Sequence, residues 1–158
     1  MNATIVCVGK LKERWQKEAC AEYQKRLTRY GSVELIELPD QSEPEKSSEA
    51  LERQLIDKEG AQIMRRIKPT DWVVALCILG SRMDSPKLSR EIDRWQMAGK
   101  RIVFVIGGSL GLSDEVQRRA DVKLSFSDMT FPHPLMRVIL LEQLYRAARI
   151  SAGERYHK

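Results

Sequence analysis

Two segments in the C-terminal third of this 158-residue chain carry residue types that could do chemistry. The first is a glycine-rich loop at residues 107–111, Gly-Gly-Ser-Leu-Gly, directly after the apolar run at residues 102–106. Glycines let the backbone turn sharply and bring its N–H groups close to a ligand. The loop therefore predicts either a ligand site or a purely structural turn between a strand and a helix.

Two common nucleotide-binding motifs do not match this loop. The P-loop needs G-x-x-x-x-G-K-[ST], and no lysine follows Gly111. The dinucleotide fingerprint follows an early strand, whereas this loop follows the fourth strand-like run, and only Gly9 follows the first. A dinucleotide-dependent oxidoreductase is therefore disfavoured.

The second segment is residues 125–134, Ser-Phe-Ser-Asp-Met-Thr-Phe-Pro-His-Pro. It leaves a strand-like run and opens the last helix. Pro132 and Pro134 each fix φ and remove an N–H donor, so the loop should be stiff. A stiff loop with hydroxyls, backbone groups and an aromatic ring could enclose an adenine or a methionine chain; the alternative is a rigid connector.

The chain ends in Arg155, Tyr156, His157 and Lys158. Their side chains suit phosphate contact, base stacking and proton transfer. Terminal residues are also often frayed, so an incidental tail is the other interpretation.

Arg137 is out of place in the last predicted helix, because a helical wheel puts it among apolar residues. Burying a guanidinium without a partner costs several kcal/mol, about 3–5 by analogy with broken buried pairs. Arg137 should therefore either escape at the helix start or meet an anion. That anion could be an internal carboxylate such as Glu142 of a partner chain, a ligand carboxylate or an RNA phosphate.

The elements that must position these residues alternate along the chain. Strand-like runs occupy residues 4–8, 33–38, 72–79, 102–106 and 122–126, and the main helical patterns cover residues 11–30, 48–67, 85–98 and 135–150. A very short helix should follow Ser113, and residues 39–48 should be a loop. The alternation predicts an α/β fold with a mostly parallel five-stranded sheet, in which ligands bind beyond the carboxyl ends of the strands. The wide apolar side of the last helix also suggests contact with a second subunit.

Composition indicates a globular, non-membrane protein, with 42% hydrophobic and 31% charged residues. No apolar run approaches the roughly 20 residues that span a bilayer, and no signal peptide is recognised. Three separated cysteines favour neither a disulfide framework nor a metal site, so we expect a cytoplasmic protein without metal. The net charge of +5 is compatible with a polyanionic partner. Residues 10–29 hold seven of the basic side chains against three acidic ones, as either a solvated helix face or an RNA-binding one.

Taken together, the motifs resemble the RlmH family of the SPOUT superfamily, bacterial methyltransferases that act on N3 of a pseudouridine in large-subunit ribosomal RNA. The resemblance covers the whole chain, and the order and spacing of the motifs make it specific. The motifs are Val8-Gly9-Lys10-Leu11-Lys12, Asp57-Lys58-Glu59-Gly60, Val105-Ile106-Gly107-Gly108-Ser109, Leu124-Ser125-Phe126-Ser127, Met129-Thr130-Phe131-Pro132-His133, Met136-Arg137-Val138, Glu142-Gln143-Leu144-Tyr145-Arg146-Ala147 and Tyr156-His157.

This resemblance implies properties that the residues alone do not show. The fold would be a single domain over residues 1–158, with a Rossmann-like sheet and a C-terminal trefoil knot, which pattern reading alone would exclude. The protein would be a homodimer that uses S-adenosyl-L-methionine to methylate a pseudouridine of the position-1915 type, in helix 69 of 23S rRNA on the assembled ribosome. The implied cofactor contacts are Leu76, Ile106, Gly107, Gly108, Ser127, Asp128, Met129, Thr130, Phe131 and Pro132.

For catalysis we expect His157 as the base that removes the N3 proton, ahead of His133, which should shape the loop. Arg155 and Arg137 would contact an anion or a phosphate, and Tyr156 would stack on the target base. The tail of one subunit would reach the cofactor loops of the other. The alternative function is a non-catalytic RNA- or ribosome-binding protein, which would show no affinity for S-adenosylmethionine.

Overall fold

The computed structural model describes residues 1–41 and 48–156, and in these residues five strands alternate with five helices. In chain order they are β1 (Asn2–Val8), α1 (Arg14–Leu27), β2 (Ser32–Leu38), α2 (Glu49–Met64), β3 (Trp72–Arg82), α3 (Ser85–Met97), β4 (Ile102–Ile106), α4 (Asp114–Arg119), β5 (Val122–Ser125) and α5 (His133–Ser151). The predicted α/β class and the order of the elements are confirmed.

All five strands are parallel and lie in the order β2-β1-β4-β3-β5. The sheet therefore has two distinct edges along its strand ends. We call the edge where the strands finish the carboxyl edge, and the edge where they begin the amino edge.

Apolar residues cover both faces of the sheet, because successive strand residues point to opposite faces. Ile5, Phe104 and Val74 face α1, α3 and α5, whereas Val6 and Val103 face α2 and α4. The five residues of β4 are all buried, as the continuous apolar run at residues 102–106 predicts for a central strand.

Several predicted boundaries were wrong, each for a local reason. β3 continues to Arg82 rather than Leu79: the register shifts between Leu76 and Ser81, and pairing with β5 then resumes. Asp84, not Ser85, caps α3, since its Oδ1 accepts the Lys87 N–H at 2.7 Å. Ser113 caps the short helix α4, as predicted.

The last helix begins at His133 rather than Leu135. Pro134 is compatible with this start, because proline in the first helical turn loses an N–H that has no partner within the helix. The predicted loop at residues 39–48 lies mostly outside the described residues. The trefoil knot and the single-domain assignment stay predictions.

Candidate active site

The glycine loop follows β4 at the carboxyl edge, and two of its glycines have no room for a side chain. A Cβ on Gly107 would lie 2.5 Å from the carbonyl oxygen of Gly111, and one on Gly108 would lie 2.9 Å from a carboxylate oxygen of Glu59. Gly111 has a φ of +91°, and its N–H donates to the Gly108 carbonyl at 3.1 Å. The loop is thus tightly packed: the Gly111 backbone and the Leu112 side chain lie against Gly107, and the Glu59 carboxylate lies against Gly108.

The second predicted loop, residues 126–132, crosses the same edge. It starts after Ser125, which pairs with Arg82 at the outer end of the sheet. It ends at His133, whose Nε2 lies 3.1 Å from where a Cβ on Gly9 would be. Gly9 follows β1, and β4 and β3 lie between β1 and β5. The loop therefore passes the carboxyl ends of β3 and β4, where Leu76 and Ile106 are one residue beyond the pair Ala75–Val105.

Internal hydrogen bonds shape this crossing loop. Ser125 Oγ donates to the Ser127 carbonyl at 3.1 Å, and Ser127 Oγ accepts the Met129 N–H at 3.0 Å. Asp128 forms an ion pair with Arg82 of β3. Asp128, Met129, Thr130 and Pro132 are exposed, whereas Ser127 and Phe131 are half-buried.

Large apolar side chains are exposed beside these loops. Leu79, in the irregular part of β3, is 97% exposed, Ile78 is 50% exposed and Met129 is 74% exposed. Exposed apolar side chains that cluster are common where a ligand or another subunit binds.

Arg137 is buried beneath the carboxyl edge and contacts only groups of its own chain. Its guanidinium donates to Glu37 Oε1 at 2.8 Å, and to the carbonyls of Val8 and Gly9 at 2.6 and 2.8 Å. Its side chain is 0% exposed. The predicted anion is therefore an internal carboxylate, but it is Glu37 and not Glu142. Glu142 instead pairs with Arg146 at 2.7 Å.

Arg137 thus contacts an anion, as the sequence predicted, and in this structure the anion is Glu37. Through these contacts Arg137 holds the end of β1 and its neighbour β2, while its Nε makes no hydrogen bond to the described residues. The sequence did not single out Glu37. The signal that could have pointed to Glu37 as the partner of Arg137 is its position as a polar residue in an apolar strand beside β1.

His133 stands where the crossing loop becomes α5, against Gly9. Burial lowers the pKa of His133 below its ordinary value of 6.5, and the nearby Arg137 charge lowers it further. His133 is therefore mostly neutral at pH 7.

The described part of the tail, residues 153–156, folds back onto α5 and onto the turn between α1 and β2. Glu154 accepts a hydrogen bond from Tyr30 Oη at 2.6 Å and forms ion pairs with Arg29 and Arg149. We call Glu154 and these three partners the tail latch. The hydrogen bond from Tyr30 is the main cause that lowers the pKa of Glu154, and burial is the main cause that raises the pKa of Tyr30.

Tyr156 is anchored next to the latch. Its ring meets the Tyr145 ring edge-on at 5.1 Å, and the Arg146 guanidinium lies 4.6 Å from its centroid. Its hydroxyl donates to Glu142 Oε1 at 3.2 Å. Arg155 is exposed. His157, the predicted base, lies outside the described residues.

Within one chain the tail and the loops are far apart. α5 starts at the carboxyl edge and its 19 residues span about 27 Å towards the amino edge. Tyr156 reaches back along it only to Glu142, still about 13 Å of helix short of His133. The cofactor residues predicted from the sequence thus meet at one edge, and the predicted tail residues Arg155 and Tyr156 lie near the other.

Neither a metal cluster nor a membrane helix is found in the described ranges. No group of three or more His, Cys, Asp or Glu there could hold a metal ion, and no helix there is long and apolar enough to cross a bilayer. The three cysteines are free, and burial raises the pKa of Cys7 to about 12.

A parallel α/β sheet with a glycine-rich loop at its carboxyl edge is typical of ligand-binding proteins, and comparisons with known proteins define the class more narrowly. Residues 1–157 match the family model described as "Predicted SPOUT methyltransferase". Ribosomal RNA large subunit methyltransferase H of Bifidobacterium animalis subsp. lactis (strain AD011) is 52% identical over 159 aligned positions, covering 100% of both chains. Ribosomal RNA large subunit methyltransferase H 1 of Clostridium perfringens (strain SM101 / Type A) is 53% identical, again over 100% of both.

A more distant solved structure shows the same fold. It is a probable methylase family protein from Haemophilus influenzae Rd KW20, with a TM-score of 0.56, 11% identity, and coverage of 99% of this chain and 70% of that one. The chain belongs to the SPOUT methyltransferases and, within them, to the RlmH family, as its motifs indicated.

Proposed function

We propose that this chain methylates N3 of a pseudouridine in 23S rRNA, of the position-1915 type in helix 69, on the assembled ribosome. The observation that carries the proposal is identity above 50%, over the full length, to proteins named ribosomal RNA large subunit methyltransferase H. The choice of nucleotide and atom rests on the motif resemblance. A cytoplasmic location, a single knotted domain and the absence of a metal requirement belong to the same proposal.

The carboxyl edge suits S-adenosylmethionine, which when bound supplies a methyl group on a positively charged sulfur. Gly107 and Gly108 would bring backbone groups close to it, because neither residue carries a side chain of its own. Leu76 and Ile106 would provide apolar contact at the strand ends, and the crossing loop would close over them with the backbone and side chains of Ser127, Asp128, Met129, Thr130, Phe131 and Pro132.

The tail would act on the RNA. The N3–H of the base is weakly acidic, so its proton must leave before N3 can bond to a methyl carbon. His157 is the proposed base, since a neutral imidazole can accept a proton near neutral pH. Arg155, exposed beside it in sequence, would balance negative charge on the base or a phosphate. Tyr156 is now better assigned to anchoring the tail on Glu142 and Tyr145 than to stacking on a base.

These two groups of residues require a second copy of the chain. The tail lies near the amino edge and the loops at the carboxyl edge, so one chain does not bring them together in this conformation. In a symmetric dimer, the tail of each chain could meet the loops of the other, giving two equal composite sites. The exposed Ile78, Leu79 and Met129 would be partly covered in that contact.

Mixed dimers test this arrangement. One variant lacks residues 156–158, and the other carries Gly108→Arg; each alone should transfer no methyl group to ribosomes that lack the modification. After the two chains are mixed and allowed to exchange, half of the dimers contain one intact site, so activity should return to about a quarter of the wild-type value. Labelled methyl transfer and mapping of the modified nucleotide give the readout.

Each failure has a distinct meaning. Two inactive variants that stay inactive in confirmed mixed dimers would rule out the composite site while leaving the methyltransferase proposal open. Wild-type protein that binds ribosomes but shows no calorimetric affinity for S-adenosylmethionine would instead support the non-catalytic RNA-binding alternative.

A further inference from the structure

A basic cleft opens at the amino edge, at the opposite ends of the strands from the glycine loop and the crossing loop. Its volume is about 460 Å³, and it is lined by Lys68, Thr70, Asp71, Gly99, Lys100 and Arg101. We call it the amino-edge cleft. Its residues come from the segments that lead into β3 and β4, so they lie side by side at the beginnings of two adjacent strands.

The acidic member of the cleft is fully engaged. Asp71 is 3% exposed, and its carboxylate accepts hydrogen bonds from Arg101 Nε at 3.0 Å, Arg101 Nη2 at 2.6 Å and the Lys68 N–H at 2.6 Å. Burial alone would raise the pKa of Asp71, but these hydrogen bonds outweigh it and lower the pKa. Asp71 thus stays ionised, and its charge is offset by Arg101.

A second arginine fixes the backbone on the other side of the cleft. Arg119 donates to the carbonyls of Lys68, Pro69 and Asp71 at 2.9–3.3 Å, and Arg101 donates to the Arg66 carbonyl at 3.0 Å. Residues 66–71 are thereby held in one conformation. Such a preorganised segment loses little conformational entropy on binding a ligand.

The remaining cations of the cleft are Lys68 and Lys100, which are exposed and form no ion pair within 4 Å with a carboxylate of residues 1–41 or 48–156, although the Lys68 charge helps to lower the pKa of Asp71. Arg65 and Arg66, close in sequence to Lys68, and Arg118, next to Arg119, are exposed as well. Lys100 Nζ lies 5.3 Å from the Trp72 ring centroid, which restricts where its side chain points. Two such lysines and a threonine hydroxyl match the oxygens of a phosphodiester.

The basic helix α1, which the sequence suggested as an RNA-binding surface, differs from the cleft in how its charges are paired. In α1, Arg14 pairs with Glu18, Arg26 pairs with Glu22, and Arg26 also lies over the Tyr23 ring. Much of its positive charge is therefore balanced within the helix. In α1 the charges that no ion pair balances are Lys17 and Lys25, as many as the two lysines of the cleft, but they lie on an exposed helix surface, whereas Lys68 and Lys100 line one concave site.

The cleft also lies along the same edge as the tail. A second, smaller cleft of about 210 Å³ has a lining that includes Tyr30 of the tail latch and Gln96 of α3. The Gln96 carbonyl accepts the Gly99 N–H at 2.9 Å, and Gly99 lines the amino-edge cleft. The two clefts are therefore neighbours at the end of α3, and the smaller one includes a residue that holds the tail.

We propose that the amino-edge cleft binds the phosphate backbone of the RNA substrate. RNA that contacts the tail of one subunit would then continue across the amino edge of the same subunit. The proposal rests on the function proposed above for its choice of RNA. The cleft would supply affinity and orientation without reading base sequence, because phosphate contacts carry no sequence information directly.

The test uses the double variant Lys68→Gln/Lys100→Gln in the full chain. Co-sedimentation with 70S ribosomes over a series of KCl concentrations should show affinity about tenfold weaker than wild type, and a slope of log K against log [KCl] smaller by about 1.5, as expected for two lost phosphate contacts. The KM for ribosomes in methyl transfer should rise by a similar factor, with kcat and the calorimetric affinity for S-adenosylmethionine unchanged.

Matched controls separate this site from general electrostatics. Lys17→Gln/Lys25→Gln removes the same charge from exposed positions of α1 and should change ribosome affinity less than twofold, while Lys68→Arg/Lys100→Arg should keep it. If the α1 variant weakens binding as much as the cleft variant, or if the cleft variant keeps the wild-type slope, the cleft is not a phosphate site. Wild-type protein whose ribosome binding depends on the cleft lysines, but which transfers no methyl group, would support the cleft and overturn the proposed function.

Discussion

The carboxyl and amino edges of the sheet carry the two halves of the proposed site, and they are stabilised in different ways. At the carboxyl edge, close-packed glycines and one fully buried arginine hold a backbone surface in place. At the amino edge, ion pairs and aromatic contacts at the surface hold the tail. Buried pairs are weakly screened by salt and surface pairs strongly, so the first edge should be rigid and the second adjustable.

The largest effect on stability is expected at Arg137, which lies beneath the carboxyl edge. Arg137→Met should lower the free energy of unfolding by about 2–4 kcal/mol, because the buried carbonyls of Val8 and Gly9 lose their donor, whereas Glu37, with a side chain 31% exposed, loses its partner near the surface. Urea denaturation measures it. Arg146→Met, on the same helix but half-buried, is the control and should cost about 1 kcal/mol or less. Equal losses in the two variants would remove the distinction between the edges.

The next effect concerns the glycine loop itself. Gly107→Ala places a methyl group 2.5 Å from the Gly111 carbonyl oxygen, so the loop must move and calorimetric affinity for S-adenosylmethionine should fall about a hundredfold. Gly111→Ala meets no atom within 4 Å but keeps an unfavourable φ of +91°. This variant therefore tests backbone strain alone, and we expect its loss of affinity for S-adenosylmethionine to be smaller than that of Gly107→Ala. A harmless Gly107→Ala would mean that the ligand binds elsewhere.

A smaller effect is expected at the tail latch. Tyr30→Phe removes the hydrogen bond of 2.6 Å to Glu154, and Glu154→Gln removes the charge that pairs with Arg29 and Arg149, so in both variants the tail should hold His157 less well in place. We expect kcat for methyl transfer to fall about tenfold, as small misplacements of reacting groups do, with unchanged affinity for S-adenosylmethionine.

The control for the latch is Tyr23→Phe, which should be neutral. Tyr23 lies 6.2 Å from the Tyr145 ring, but its hydroxyl makes no hydrogen bond to the described part of the chain. Rising KCl should reproduce part of the loss in the wild type at saturating ribosome concentration. A latch variant with full kcat at all salt concentrations would show that the tail needs no anchoring.

The sequence predicted the two edges unequally well. Apolar runs and glycines specify strands and the turn after β4, so the carboxyl edge was located from pattern alone. Contacts between distant residues have no such pattern: Glu37 and Arg137 are 100 positions apart, and Tyr30 and Glu154 are 124 apart. Arg137 looked anomalous on its helix, which predicted an anion but not which one. The sequence singled out the tail by its residue types, while its attachment to Arg29, Tyr30 and α5 became visible only in the fold.

The smallest effect is a pH dependence confined to the carboxyl edge. The pKa of His133 is lowered in the folded chain, chiefly by burial. As the pH falls, His133 is therefore protonated at about pH 6.5 in the unfolded chain but only at a lower pH in the folded chain. Stability is therefore retained above pH 6.5 and lost as the pH falls from 6.5 towards the folded pKa. His133→Asn should flatten this part of the curve of unfolding free energy against pH, measured by urea denaturation between pH 7 and 5.

The latch carboxyl Glu154, whose pKa is lowered, should contribute to the pH dependence only below its ordinary value of 4.5, so Glu154→Gln should leave the range between pH 7 and 5 unchanged. A flattened curve in the Glu154 variant, rather than in the His133 variant, would reverse the assignment of the pH response between the two edges.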